Sequence, residues 1–169
     1  MKNLLWFIAV WSLLQCVTCQ ISLTQPGTVT VKPSEVLQLT CKVTGASLTD
    51  SSKIACVQWV RQPVGKGLEW LGGIWYEASL HYSQSLKGRV TVSRDTNKGE
   101  VYLKLTGMKP EETAVYYCAT GVQRYAYFDI WGPGTTVTVT SATSKSPSLF
   151  PLISCGESMD PVTIGCLAR

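Results

Sequence analysis

Apolar and polar positions alternate along most of this chain, and the alternation breaks every few residues. Around Cys118, Ala114 and Tyr116 share its side while Val115 and Tyr117 take the other, the period of a strand occupied on both faces. Leu37, Leu39, Cys41 and Val43 form a second such run, again with a cysteine on the inward side. Val29 with Val31, the runs 57–62 and 68–74, Val90 with Val92, Val101 with Leu103 and Leu105, and 135–140 predict further strands. Pro33-Ser34, the run 63–67, Asn97-Lys98-Gly99 and Pro110 punctuate them as turns. Residues 45–55 are small and polar, a loop in character, and 75–85 reads as irregular with aromatics. No helical period appears. Cys41, Trp59 and Cys118, in that order, fit two packed sheets pinned by one inter-sheet disulfide with an indole lying against the sulfurs. Tyr116, two residues before the second cysteine, stands where a tyrosine corner would. The expected class is all-β, a sandwich with Greek-key connections.

The two ends depart from this texture. Met1-Lys2-Asn3 is followed by an apolar run from Leu4 to Leu14 and then by Val17-Thr18-Cys19, which predicts a cleaved secretory signal peptide over 1–19. That run is too short to span a bilayer, and no other run is longer. Residues 20–141 make one domain's worth of core. Residues 142–147 are a linker by composition, and 148–152 with 162–166 look like the first strands of a second sandwich, so 142–169 is expected to be the start of another domain.

Secretion places the cysteines in an oxidising compartment. Cys16 and Cys19 leave with the signal, and an odd set remains: Cys41, Cys56, Cys118, Cys155 and Cys166. None of these lie at zinc-ligand spacing, and the single histidine, His81, is distant in sequence, so no metal and no cofactor is expected. The net charge of +4 comes from Lys and Arg scattered singly, which argues against nucleic acid or a membrane surface as the partner. One histidine, no nucleophile elbow and no phosphate loop leave enzymatic readings without residues to carry them.

The chain resembles an immunoglobulin heavy-chain variable domain joined to the start of a first constant domain. The resemblance runs from Gln20 to the last residue and rests on Trp59-Val60-Arg61-Gln62, Gly67-Leu68-Glu69-Trp70, Lys87-Gly88-Arg89, the run 113–118 and Trp131-Gly132-Pro133-Gly134. Tryptophan at 131 marks the heavy-chain class within that family. The resemblance implies a light-chain-facing surface of Val60, Gln62, Leu68, Trp70, Tyr117 and Trp131, with an amide at Gln62 able to exchange two hydrogen bonds with a like amide. It implies an ion pair between Arg89 and Glu112. It implies an interchain bridge to the light chain from Cys155, as in the mu class, with an intradomain bridge as the alternative. A second heavy chain is the expected partner of the missing constant domains. One departure stands out: Thr120 occupies the place of a basic residue that in the family binds the aspartate matching Asp129. Its loss implies a looser third loop, or a substitute in Arg124.

The loops are the expected seat of function. The first offers Ser47, Asp50, Ser51, Ser52 and Lys53; the second Trp75, Tyr76, Glu77 and His81; the third Gln123, Arg124, Tyr125 and Tyr127. Tyrosine-rich loops on a rigid scaffold give large contact area with few rotors. The resemblance implies antigen binding by an antibody or B-cell receptor, secreted or on the outer side of the plasma membrane. The alternative is an invariant V-type adhesion or regulatory receptor. Cys56 has no obvious mate within the chain: alternation puts it with Gln58 on the outward side, as a free thiol shielded by Tyr125 or Tyr127 at the edge of the loops, or bridged to another chain.

Overall fold

In the computed structural model, which describes residues 20–121, 129–141, 150–152 and 165–167, the inward side chains Leu37, Leu39, Cys41 and Val43 sit on β3 (Leu37–Thr44). Their polar neighbours Gln38, Lys42 and Thr44 face water, so the strand presents the two-sided pattern that its sequence alternates. β3 lies between β1 (Ser22–Thr24) and β8 (Glu100–Leu105), with β7 (Val90–Asp95) at the far edge, giving a four-stranded antiparallel sheet.

The second sheet runs β2 (Thr28–Val31), β11 (Thr135–Val139), β9 (Ala114–Gly121), β4 (Cys56–Pro63), β5 (Glu69–Trp75) and β6 (Leu80–Tyr82), with β10 (Ile130–Trp131) paired to β9. β2 and β11 pair parallel, and all other pairs are antiparallel. The N-terminal segment therefore changes sheets at Pro26-Gly27. The sequence pattern gave only the Val29–Val31 part of it, because three residues of β1 are too few to show a period. Segment 75–85, expected to be irregular, contains β6 and a 3-10 turn, Gln84–Leu86. β6 fits against β5 because Gly72 has no side chain: a Cβ there would meet His81 O and Tyr82 Cδ1 at 2.8 Å.

The two sheets close on a core containing Trp59, Leu71, Leu103, Tyr116, Val137 and the disulfide Cys41–Cys118. That bond spans 77 residues and joins the sheets through β3 and β9. Trp59 stands opposite Cys118 in the β4–β9 ladder, fully buried. Among the described residues its Nε1 is the one buried side-chain polar atom with no hydrogen-bond partner. Tyr116 makes the corner, its hydroxyl donating to Glu112 O at 3.0 Å. Gln25 stitches the sheet where β9 and β11 diverge. Its Nε2 donates to Tyr116 O and Thr135 Oγ1, and its Oε1 accepts the amides of Cys118 and Gly134. The Gly132-Pro133-Gly134 turn needs its glycines for that approach. Gly134 has φ +86°, and a Cβ on Gly132 would collide with Gln25 Oε1. Beyond residue 141, β12 (Phe150–Leu152) and β13 (Gly165–Leu167) form a separate antiparallel ladder.

Candidate functional site

The roots of three connections meet at one end of the sandwich: 45–55 between β3 and β4, 76–79 between β5 and β6, and the stems Gly121 and Asp129 that end β9 and precede β10. The first is anchored by two apolar residues that its polar composition hid: Leu48 and Ile54 are buried in the core. Asp50 shapes the tip, accepting from the Ser52 amide at 3.0 Å and the Ser52 hydroxyl at 2.6 Å. The hydroxyl of Ser52 is the main reason the Asp50 carboxyl is held below the usual carboxylate range. Ser47, Ser51 and Ser52 are exposed, while Asp50 and Lys53 are half-buried.

The second connection turns tightly through Ala78, at φ +73°, with the Trp75 amide donating to Ser79 O and the Ala78 amide to Trp75 O. Trp75 and His81 stack, ring centroids 4.5 Å apart and planes tilted by 58°, and Tyr76 and Glu77 stand exposed beside them. His81 lies on strand β6, exposed to water, with its ring against that of Trp75. Of the third connection the structure describes both stems, Gly121 and Asp129. Gln123, Arg124, Tyr125 and Tyr127 lie outside the described residues, as does Cys155.

A line of hydrogen bonds ties the three roots. The Ala55 amide donates to Gly121 O at 3.2 Å and the Tyr76 amide to Ala55 O at 3.1 Å. Arg94, on β7 of the opposite sheet, completes the line. Its guanidinium donates to Leu48 O, Trp75 O and Tyr76 O at 3.1, 2.9 and 2.8 Å. Sequence reasoning missed Arg94 because its acceptors are main-chain carbonyls, which no residue pattern reports. The result is a rigid platform beneath exposed aromatic and polar tips, suited to recognition.

The outer face of the second sheet carries an apolar patch. Leu68 is 57% and Trp131 40% exposed, Gln62 is exposed, and Trp70 and Tyr117 are half-buried. Tyr117 and Trp131 meet edge to face at 6.0 Å. Val60 is deeper than the others: 3% exposed, it lies in register between Trp70 and Tyr117 and forms the floor of the patch rather than its surface. Gln62 Nε2 donates to Lys66 O at 3.4 Å, a long bond that an incoming amide can displace.

Cys56 is likewise deeper than the outward alternation implies. Its thiol is free, as expected, but fully buried, and Gln58 Nε2 lies 3.1 Å from Sγ. Burial pushes the thiol's pKa up, against the Gln58 contact. Gln58 is itself oriented by Trp70 Nε1, which donates to its Oε1 at 2.8 Å.

At the opposite end, Arg89 Nη2 lies 2.7 Å from Glu112 Oε2, and Arg61, which the sequence did not single out, reaches Glu112 Oε1 at 2.9 Å and Glu69 at 2.8 Å. Burial works to raise the Glu112 carboxyl, but hydrogen bonds from Arg89 and Arg61 outweigh it and hold the group below its ordinary range. Burial works against the Arg61 charge, and its partners Glu69, Tyr116 and Glu112 reverse that too. The Tyr116 phenol is pushed up, chiefly by burial.

Comparison with known proteins gives a consistent set of matches. The profile of the Immunoglobulin V-set domain matches residues 24–140. An immunoglobulin delta heavy chain of Homo sapiens is 44% identical over 160 residues, 88% of this chain and 31% of that one. The Ig heavy chain V region MOPC 141 of Mus musculus is 44% identical over 75% of this chain and 90% of its own length. The V region XIG14 of Xenopus laevis is 45% identical over 82% of this chain and 98% of its own length. The chain thus spans about a third of the human relative and nearly all of the two V regions.

Proposed function

We propose that this chain, which belongs to the immunoglobulin V-set family and is a heavy-chain variable region, binds antigen as one half of an antibody or B-cell receptor, paired with a light chain. The observation that carries the reading is the fused platform of loop roots, Gly121 to Ala55 to Tyr76 to Arg94, below half-buried Trp75 and exposed Tyr76 and His81. Aromatic tips on a base that does not move lose little conformational entropy on binding. Ser47, Asp50, Ser51, Ser52, Lys53 and Glu77 supply adaptable polar contacts, and Gln123, Arg124, Tyr125 and Tyr127 complete the surface. Trp131, Leu68, Trp70, Tyr117 and Gln62, over the Val60 floor, form the light-chain face, since a patch of this character exposed on a soluble domain calls for a cover.

Residues 1–19 act as a signal peptide that delivers the chain to the extracellular side. Among the described residues no helix is long and apolar enough to cross a membrane. Residues 142–169 begin a first constant domain of mu-like type, with Cys155 bridging the light chain and further constant domains pairing with a second heavy chain.

The experiment is a display library of the chain, paired with light chains and varied at 75–81 and 123–127. It should yield binders to several unrelated protein targets. A matched library varied at the opposite end, at 64–66 and 107–111, should yield none. Equal yields from both ends would contradict the assignment of the site.

A further inference from the structure

Thr120 is 1% exposed at the root of the third loop. Alternation places it on the inward side of β9 with Cys118, where an apolar residue would serve as filling. Instead its hydroxyl donates to Cys56 O at 2.7 Å, on the strand that ends the first loop. Its own carbonyl accepts the Asp129 amide at 3.1 Å, on the returning stem. In the two ladders it stands opposite Val57 on β4 and Ile130 on β10. One residue therefore joins the outgoing stem, the returning stem and the end of the first loop. The side chain of the same residue is engaged separately: Gln58 Nε2, oriented by Trp70, lies 3.1 Å from Cys56 Sγ.

We propose that Thr120 is a positioning residue of the antigen site: its hydroxyl, through Cys56, fixes the direction in which the third loop leaves the sandwich and couples it to the first loop. The proposal rests on reading the loops as the antigen site. It offers a third course beside the two expected from the missing basic residue, a looser third loop or a substitute in Arg124. A buried hydroxyl oxygen and a buried carbonyl are each costly to leave unpaired, so the bond resists opening in a way that two facing methyl groups would not. The short reach of threonine joins the loop to its own scaffold rather than to the opposite stem.

The test uses the full chain expressed with a light chain, comparing the parent with T120V, T120S and T120A by amide hydrogen exchange. T120V keeps the shape and removes the donor. It should speed exchange at the Ala55, Gly121 and Asp129 amides by about tenfold or more, the worth of one buried hydrogen bond. The Leu39 and Leu103 amides of the other sheet should change far less, and T120S should restore parental rates. Uniform acceleration across both sheets would reduce Thr120 to core filling, and no acceleration would show that the hydroxyl carries no load; either overturns the proposal. If T120V does not fold, T120S against T120A decides it at the same amides, and equal rates overturn it. These rates need no antigen. A locally loosened T120V in a chain that never yields binders would contradict the antigen reading and leave the clamp standing.

Discussion

The guanidinium of Arg94 lies 2.8 Å from the carbonyl of Tyr76, across the gap between the two sheets. With its bonds to Leu48 O and Trp75 O, this side chain makes the first and second loops a single body. Arg94→Met should therefore act on the loops more than on the core. We expect about 2 kcal/mol of destabilisation by urea titration and faster amide exchange at Tyr76. Unchanged exchange at Tyr76 would mean that the loops hold themselves.

The Cys41–Cys118 disulfide closes a stretch of 77 residues. In the chain-entropy model a loop of that length is worth on the order of 4 kcal/mol. Replacing both cysteines by alanine should leave the domain mostly unfolded at body temperature by circular dichroism. A double mutant melting cooperatively near the parental midpoint would refute this.

Glu112 sets an acid limit. Its folded pKa lies below its unfolded one, so its contribution is fully present above the ordinary carboxylate range and is lost as pH falls through the folded value. Unfolding free energy should decline with acidification below that range. E112Q should lose about 3 kcal/mol at neutral pH, because two buried-side arginine contacts lose their charge partner, and its pH profile should be flatter than the parent's. Parallel profiles would place the acid sensitivity elsewhere.

Cys56 should resist iodoacetamide in the folded chain and react once denatured, since its thiol is buried and its pKa raised by that burial. Intact-mass analysis before and after denaturation reads this directly. A Cys56 already in a disulfide would overturn the free-thiol assignment.

These predictions divide along what the sequence could reveal. Cys41, Trp59, Tyr116 and Cys118 were legible because strand alternation and fixed spacing place them, and the Arg89–Glu112 pair followed from the resemblance. Arg94, Gln25 and Thr120 act through their side chains on main-chain groups 18 to 109 residues away, and such bonds depend on sheet register. Arg61 was hidden in a motif whose neighbours drew the attention, although a charged residue midway along a buried strand is itself a signal for a partner. How deep Val60 lies was not legible, because alternation gives its side of the sheet but not the bulk of Trp70 and Tyr117 on either flank.

The apolar patch predicts behaviour in solution. The chain without a light chain should self-associate in sedimentation through Leu68, Trp70 and Trp131, and co-expression with a light chain should suppress it. Replacing Leu68 and Trp131 by serine and threonine should have the same effect. A parental chain that stays monomeric at high concentration would mean that the patch is covered from within.

The central claim, that this is one member of a set of antigen-binding chains, is tested most directly by sequencing heavy-chain transcripts from many B cells of one animal. The account predicts clones that share the segments around Cys41, Trp59 and Cys118 and the Trp131-Gly132-Pro133-Gly134 joint, yet differ in length and sequence between Ala119 and Trp131. Identical sequences between those residues in every clone would contradict it.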